Sequence, residues 1–258
     1  MNPTKTDHFF YRYSLTMPWK AGETTAHTHS QYELIYFLRG DVSHVVEDRI
    51  YRLSRGDLVI VEPGKYHDIR FDGEREYERI NILFDPVALG LDRAAQVAAC
   101  TEVVSLADRP ETAAIFDKMA RYHGALCEEE FVVAATHLLY ELFCDLSLDE
   151  QEKRRYAKLH PMLSEALAYI ADNLFSVRSV QQIAEALHVT EGYLFRLFRE
   201  ELNTSPKKYV TDKRLLAAQG MIRLGHRPSE IYAECGFSDY TSFFRSYKKF
   251  FGVSPSKG

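Results

Sequence analysis

Hydrophobic residues recur with two different periods along the chain. In the front part they form short runs rich in Val, Ile, Tyr and Phe, at positions 33–38, 43–47, 57–61 and 78–84. Turn signals such as Gly40-Asp41 and Pro63-Gly64 separate these runs. Short strands with regular turns are typical of an antiparallel barrel or sandwich, so β-structure is expected here.

After about residue 108 the apolar spacing becomes that of amphipathic helices. One stripe consists of Ile115, Met119, Tyr122 and Leu126. A second consists of Phe131, Ala135, Leu138, Leu139, Leu142, Phe143 and Leu146. Two helices are therefore expected near residues 112–147. The next stretch is charged and has no apolar stripe, so we place a linker at 148–157, between domains at 1–147 and 158–258.

The back half contains one sequence unit twice. Ile183 and Thr190 correspond to Ile231 and Ser238 at an offset of 48 residues. At an offset of 49 residues the matching pairs are Leu194 and Phe243, Arg196 and Arg245, Phe198 and Tyr247, Ser205 and Ser254, Pro206 and Pro255, and Lys208 and Lys257. Self-similarity of this kind indicates one supersecondary structure that occurs twice with a one-residue slip.

Each copy is predicted to be a helix, a tight turn and a second helix. In the first copy Ser179 and Gln182 fit a capping box, and Thr190 supplies the next N-cap. In the second copy Pro228 fits a first helical position, Gly236 the turn, and Ser238 the cap.

A long helix is expected between the two copies. Ser205-Pro206 begins it, and its roughly 19 residues would span ~28 Å. Two recognition helices that enter one face of B-DNA lie one helical turn apart, ~34 Å, so a rigid helix could set their spacing.

Composition and charge narrow the class of protein. The chain has 258 residues, 46% of them hydrophobic, which fits two globular domains. Residues 156–258 hold 14 Lys and Arg against 10 Asp and Glu, a net +4, whereas residues 1–155 hold 18 against 27, a net −9. Nucleic acid is therefore a candidate partner for the back half only.

Several other classes are disfavoured. The four cysteines lack CxxC spacing, which argues against a zinc finger or a disulfide framework. No apolar run approaches ~18–20 residues and the N-terminus lacks a signal-peptide pattern. The expectation is a cytoplasmic protein without a membrane partner.

The motifs of the back half resemble those of the AraC/XylS transcription regulators over about 100 residues. They are Ile-Ala-Glu at 183–185, Leu-Phe-Arg-Leu-Phe-Arg at 194–199, Gly-Phe-Ser-Asp at 236–239 and Phe-Phe-Arg-Ser-Tyr-Lys-Lys-Phe-Phe-Gly-Val-Ser-Pro at 243–255. The resemblance implies two helix-turn-helix units that read adjacent major grooves. It places Arg196 and Arg245 at equivalent base-reading positions, where an arginine fork can pair with guanine.

The resemblance extends the candidate DNA interface beyond these two arginines. The other groove candidates are Glu191, Gly192, Tyr193, Phe195, Arg199, Asp239, Tyr240, Thr241 and Phe244. The phosphate candidates are Lys207, Lys208, Lys248 and Lys249. Two alternatives stay open: the charges could only solvate helix faces, and Phe195 and Phe244 could either meet thymine methyl groups or fold back into the domain.

The front half resembles a cupin, a small β-barrel that holds a ligand in its mouth or interior. Gly22, His27, His29, Glu33 and Gly40 fit the first cupin motif. Gly56, Pro63-Gly64 and His67 fit the second, although the usual asparagine is missing. The predicted fold class is thus α+β: a cupin-type antiparallel barrel with a helical hairpin, followed by an all-α domain of two helix-turn-helix units joined by a long helix.

The histidines and the glutamate have three possible roles. In cupin enzymes the equivalent residues hold one metal, and the two-residue spacing would put His27 and His29 on one face of a strand. The resemblance therefore implies a Zn, Fe, Mn or Ni site at His27, His29, Glu33 and His67. The same residues could instead contact an effector without metal, or be structural only.

Aromatic residues near the barrel mouth are further effector-site candidates. Trp19, Tyr32, Tyr36, Tyr66 and Arg70 could clamp a small polar molecule such as a sugar, or simply fill the barrel.

The predicted function is a regulator whose promoter binding is controlled by a small ligand. Its expected partners are double-stranded promoter DNA, the effector, RNA polymerase and a second copy bound through the helices near 112–147. Those helices could alternatively only cover the barrel. The rival functions are a metal-dependent cupin dioxygenase or isomerase with a DNA-binding tail, and an architectural DNA binder without effector.

Overall fold

The computed structural model describes residues 2–17, 26–91, 102–148 and 157–257. Contacts divide the chain into two compact units, Met1–Thr24 with His29–Ala157, and Lys158–Gly258 with Thr25–Thr28. Most of the linker predicted at 148–157 lies outside the described residues. Trp19 lies outside them as well.

The first unit contains antiparallel strands in two sheets. The strands are β1 (Thr4–Lys5), β2 (Phe9–Thr16), β3 (Tyr32–Arg39), β4 (Val42–Val46), β5 (Arg49–Arg52), β6 (Asp57–Val61), β7 (His67–Phe71), β8 (Tyr77–Phe84) and β9 (Val103–Ser105). One sheet has the order β1-β2-β8-β3-β6-β9, and the other contains β5, β4 and β7 in that order. The predicted β-rich front half is confirmed.

Both faces of β3 are covered, and each face packs against a different core. Leu34 pairs with Ile82 of β8 and belongs to the cluster shared with the helices of this unit. Ile35 lies on the opposite face, with Val59 and Tyr77 in the second cluster of the barrel. Because side chains alternate along a strand, every second residue of β3 points toward the barrel interior.

The two predicted helices of the first unit are α1 (Pro110–Ala125) and α2 (Glu128–Leu148). Their stripes are buried against the large sheet, except that Leu126 follows the end of α1 and is 38% exposed. By length and composition alone α2 could cross a membrane. Its apolar stripe, however, is the one that covers the barrel, as in the core helix of a globular domain.

The helical unit follows a two-residue strand, β10 (Ala157–Lys158). Its helices are α3 (Pro161–Asp172), α4 (Val180–Ala186), α5 (Glu191–Leu202), α6 (Pro206–Arg223), α7 (Pro228–Ile231) and α8 (Tyr240–Phe251), and a 3₁₀ turn spans Pro255–Lys257. Helices α4 and α5 form the first helix-turn-helix, and α7 and α8 form the second. The long connecting helix α6 has 18 residues, or ~27 Å.

The first-copy caps are confirmed, and one second-copy cap is corrected. Ser179, Thr190 and Ser205 each accept a backbone N–H at 3.2 Å. The N-cap of α8 is Asp239 and not Ser238, because Asp239 accepts the backbone N–H of Ser242 at 2.8 Å and its hydroxyl at 2.7 Å. A carboxylate at this position also interacts favourably with the positive, N-terminal end of the helix dipole. The one-residue slip between the copies therefore precedes this cap.

Candidate DNA interface and barrel site

Helices α5 and α8 expose equivalent arginines because their apolar positions are used for packing. Leu194 and Phe198 of α5 are buried, as are Phe243 and Tyr247 of α8. The guanidinium of Arg196 lies 5.3 Å from the centre of the Tyr193 ring. Arg196 and Arg245 are both exposed.

The other predicted DNA residues divide into exposed and packed ones. Exposed residues are Glu191, Gly192, Phe195, Arg199, Lys207, Lys208, Asp239, Thr241, Lys248 and Lys249. Tyr193, Tyr240 and Phe244 are half-buried. The Tyr193 hydroxyl lies 3.4 Å from Nε2 of His160, and the Tyr240 ring lies 5.9 Å from the Phe243 ring. These two tyrosines therefore contribute to the packing of their own domain.

Arg214 on α6 links the two helix-turn-helix copies, a role that the sequence analysis missed. Its guanidinium donates to the carbonyls of Leu174 at 2.8 Å and Val177 at 2.5 Å, both just before α4, and to the carbonyl of Gly236 at 2.8 Å. Burial is the main cause that lowers the pKa of Arg214. A single charged side chain on the connecting helix thus holds segments of both copies.

Gly236 is required beside this arginine. Its φ is +79°, and an added Cβ would lie 2.7 Å from Cζ of Arg214 and 2.8 Å from the carbonyl oxygen of Phe175. The glycine predicted at the turn therefore has both a conformational and a steric reason.

In the barrel, two histidines converge on one buried carboxylate. Glu33 is the first residue of β3 that points toward the barrel interior. Its Oε2 lies 2.8 Å from Nε2 of His67 and 3.2 Å from Nε2 of His29. Three of the four residues predicted as one group, His29, Glu33 and His67, are therefore brought together within the first unit. His27 belongs to the segment Thr25–Thr28, which groups with the second unit. His27 and His29 precede β3, however, and do not share a regular strand.

Backbone and side-chain hydrogen bonds orient this group. The Nδ1 atoms of His29 and His67 lie 2.8 and 3.1 Å from the carbonyls of Gln31 and Lys65. The Asn81 amide donates to Oε1 of Glu33 at 2.6 Å. Burial opposes ionisation of Glu33, but the two histidines outweigh it and hold the pKa of this carboxyl well below its usual range. Burial likewise opposes the charged form of His67, yet the hydrogen bond to Glu33 raises its pKa.

Polar contacts continue from Glu33 along the barrel wall. Arg79 donates to the side-chain oxygen of Asn81 at 3.0 Å and to the Thr16 hydroxyl at 3.0 Å. Its guanidinium also lies 4.2 Å from the centre of the Tyr77 ring. The barrel wall thus carries a connected line of polar groups, of which the sequence analysis identified only Glu33.

Several predicted effector residues lie elsewhere. Tyr32 and Tyr36 occupy the face of β3 opposite to Glu33, where their rings stack on Phe84 and Phe116 at 5.6 and 4.1 Å. Strand alternation likewise puts Arg70 on the face of β7 opposite to His67. Tyr66 is fully buried.

One histidine was missed near this group. His44 is not among the residues predicted for the site, but it is 1% exposed and its ring centre lies 6.0 Å from that of His67. The pairing of β4 with β7 places the two rings near each other. Only the strand register could have indicated this proximity.

The barrel and the doubled helix-turn-helix unit place the chain among DNA-binding transcription regulators with a ligand-binding domain. The family model of the AraC-like ligand binding domain matches residues 20–143, and that of a helix-turn-helix domain matches residues 183–257. The chain belongs to the AraC family of transcription regulators. It is a DNA-binding regulator with an N-terminal ligand-binding domain, as predicted.

Curated relatives carry the same assignment. The HTH-type transcriptional activator RhaR of Shigella dysenteriae is 28% identical over 244 residues, which are 90% of this chain and 85% of that protein. The HTH-type transcriptional regulator ArgR of Pseudomonas aeruginosa is 32% identical over 104 residues, which are 40% of this chain and 32% of that protein.

Solved structures also align with the chain. ToxT from Vibrio cholerae aligns over 98% of this chain and 97% of its own, with 9% identity and a TM-score of 0.41. An AraC-type regulator from Chromobacterium violaceum is 31% identical over 38% of this chain and 88% of its own, with a TM-score of 0.36.

Proposed function

We propose that Arg196 and Arg245 each read a guanine in adjacent major grooves of a promoter. The observation that carries the proposal is their equivalent, exposed position on two recognition helices joined through α6 and Arg214. An arginine fork pairs with O6 and N7 of guanine, a contact worth ~1–3 kcal/mol of discrimination. The exposed lysines Lys248 and Lys249 of α8, and Lys207 and Lys208 at the start of α6, neutralise phosphates and hold the register.

The test is selection of preferred sites from a random DNA library, followed by affinity measurements at one fixed salt concentration. Arg196→Ala and Arg245→Ala should each weaken binding to the selected site ~5- to 150-fold. Each should also relax the base preference at a different position of that site, and the two positions should lie about one helical turn apart. Lys248→Ala should weaken binding to all DNA sequences by the same factor. Arg121→Ala, an exposed arginine of the first unit, serves as the matched control. Equal losses on every sequence for the two arginine variants would refute base reading.

We propose that the effector is a small polar molecule bound in the barrel at Glu33 and its histidines. Glu33 and His67 are buried in a largely apolar interior and His29 is half-buried beside them, which gives a ligand fixed points for recognition. The relatives are transcription regulators, and we propose that the barrel senses its ligand and does not turn it over. Conversion of a ligand at a rate that Glu33→Gln abolishes would instead favour the cupin enzyme.

We propose a homodimer through the outer face of α2. Val133 and Tyr140 are 59% and 55% exposed, and His137 and Cys144 continue their stripe at spacings of three and four residues. Such a spacing is that of a helix-packing seam. Tyr140→Glu should give a monomer in sedimentation velocity, while Asp117→Arg on α1 should not; a monomeric wild-type chain would refute the dimer.

We further propose that the chain acts in the cytoplasm, where promoter DNA is accessible, and that it contacts RNA polymerase when it is bound there. A pull-down of purified polymerase on promoter DNA should depend on the regulator, and retention that is equal without the regulator would exclude the contact.

A further inference from the structure

We propose that a cleft in the first helix-turn-helix unit binds a small organic anion with an apolar body, and that the bound anion competes with DNA. The cleft lies between α4, α5 and α6 and has a volume of about 380 Å³. Small-molecule sites in proteins typically measure ~300–1,000 Å³, so the cleft suits a small ligand. The proposal adds a ligand site outside the barrel, and its effect on DNA rests on the recognition helices proposed above.

The floor of the cleft is apolar. It is lined by Val177, Val180, Ile183, Phe195 and Val210. Val177, Ile183 and Val210 are buried, whereas the large aromatic side chain of Phe195 is 42% exposed. The apolar body of a ligand would remove this exposed surface from water, which is favourable. An inorganic anion such as phosphate would leave the same surface uncovered, so the floor favours an organic ligand.

The rim of the cleft is positively charged. Arg178, Lys207 and Arg214 line it, and the carboxylate of Glu191 is the acidic group beside them. Among the residues that the structure describes, the side chains of Arg178 and Lys207 have no ion pair or hydrogen bond. Both cations are therefore available to a ligand, and a carboxylate can accept charge-assisted hydrogen bonds from them. Three cations against one carboxylate favour an anion.

Arg214 determines where Arg178 lies. Its guanidinium donates to the carbonyls of Leu174 and Val177, which holds the segment before α4 against α6 and places Arg178 at the rim. Burial is the main cause that lowers the pKa of Arg214, and the positive charge of Arg178 lowers it further. The two guanidinium groups thus lie close enough to repel each other, and an anion bound beside them offsets that repulsion.

The cleft shares residues with the side of α5 that is proposed to face DNA. Glu191 and Phe195 line the cleft and are four residues apart, so they lie on one face of the helix. Lys207, at the start of α6, is both a rim residue and one of the proposed phosphate contacts. A ligand in the cleft would cover Phe195 and neutralise Lys207. Ligand and DNA should therefore exclude each other.

The test is calorimetric titration of the full chain with hydrocinnamate, an aromatic ring with a short carboxylate chain, and with its uncharged amide. We expect the carboxylate to bind about tenfold more tightly than the amide, the order of the difference between charge-assisted and neutral hydrogen bonds. The double variant Arg178→Met with Lys207→Met keeps the apolar stems and should bring the two affinities within about twofold. Glu191→Gln should tighten the binding of the carboxylate only. Arg227→Met, an exposed arginine of the second copy, is the matched control and should keep the wild-type ratio.

A second measurement is the affinity for the selected DNA site at fixed ionic strength, with sodium chloride as the salt control. At about ten times its own dissociation constant, hydrocinnamate should weaken DNA binding roughly tenfold, and the amide at the same concentration about twofold. A DNA affinity that stays constant when the cleft is saturated would refute the competition.

Circular dichroism checks the fold of each variant, and Arg178→Met alone is the fallback if the double variant does not fold. Absence of hydrocinnamate binding to the wild type, or an unchanged preference for the carboxylate in a folded variant, would overturn the ligand site. Because the titration contains no DNA, its outcome is independent of whether the arginines read bases.

Discussion

Replacement of Arg214 by Met should loosen the connection between the two helix-turn-helix units. Met keeps the apolar stem but removes the three hydrogen bonds to the carbonyls of Leu174, Val177 and Gly236. A hydrogen bond to a charged group contributes ~1.5–3 kcal/mol, and Arg214 is half-exposed, so water can replace part of this loss. We therefore expect the helical unit to lose ~2–4 kcal/mol in total.

The assay is differential scanning calorimetry of the full chain, together with DNA binding. For a unit of about 100 residues the loss corresponds to a decrease in Tm of roughly 10–30 °C. Binding to a site with two half-sites should fall more than binding to a single half-site, because the second copy loses its fixed position. Arg227→Met removes an exposed ion pair with Glu230, worth ~0–1 kcal/mol, and is the matched control. A Tm within 2 °C of wild type, on the order of a surface substitution, would refute the reasoning.

Three further predictions concern the same unit. Gly236→Ala should lower its Tm, since a Cβ meets Arg214 at 2.7 Å and φ is positive; a Tm equal to that of wild type contradicts the steric account. Asp239→Ala should lower Tm more than Ser238→Ala does, because Asp239 is the residue that caps α8. A larger decrease in Tm for Ser238→Ala would instead support Ser238, the cap predicted from the sequence. Burial raises the pKa of Cys235 to about 11, so iodoacetamide at neutral pH should label the exposed Cys127 before it labels Cys235, as read by peptide mass spectrometry; equal rates would contradict this burial.

The helical unit could be predicted in detail because its signals are local. Caps such as Ser179 and Thr190 and the glycine at 236 act within a few residues, and the repeat showed that both copies share one structure. Asp239 was missed as the cap because Ser238 is an equally good N-cap by residue type. Arg214 was missed because its three partners are distant along the chain.

The barrel site was only partly predictable, because it also depends on residues that are distant along the chain. The order of His27, His29, Glu33 and His67 along the chain matches the cupin motifs, so they could be grouped without knowledge of how the strands pair. The direction of Tyr36 was not evident, because both faces of β3 are covered and its sequence, Tyr-Glu-Leu-Ile-Tyr-Phe-Leu-Arg, shows no clean alternation. Which face meets the helices is a property of packing and not of the strand itself.

The central claim is that one chain reads two grooves with equivalent arginines. Its most direct test is the base preference, at each position of the selected site, of Arg196→Ala and Arg245→Ala chains beside the wild type. The account predicts that each variant loses preference at its own position, and that the two positions lie about 10 base pairs apart. Loss at the same position in both variants, or an undiminished preference in either, would contradict it.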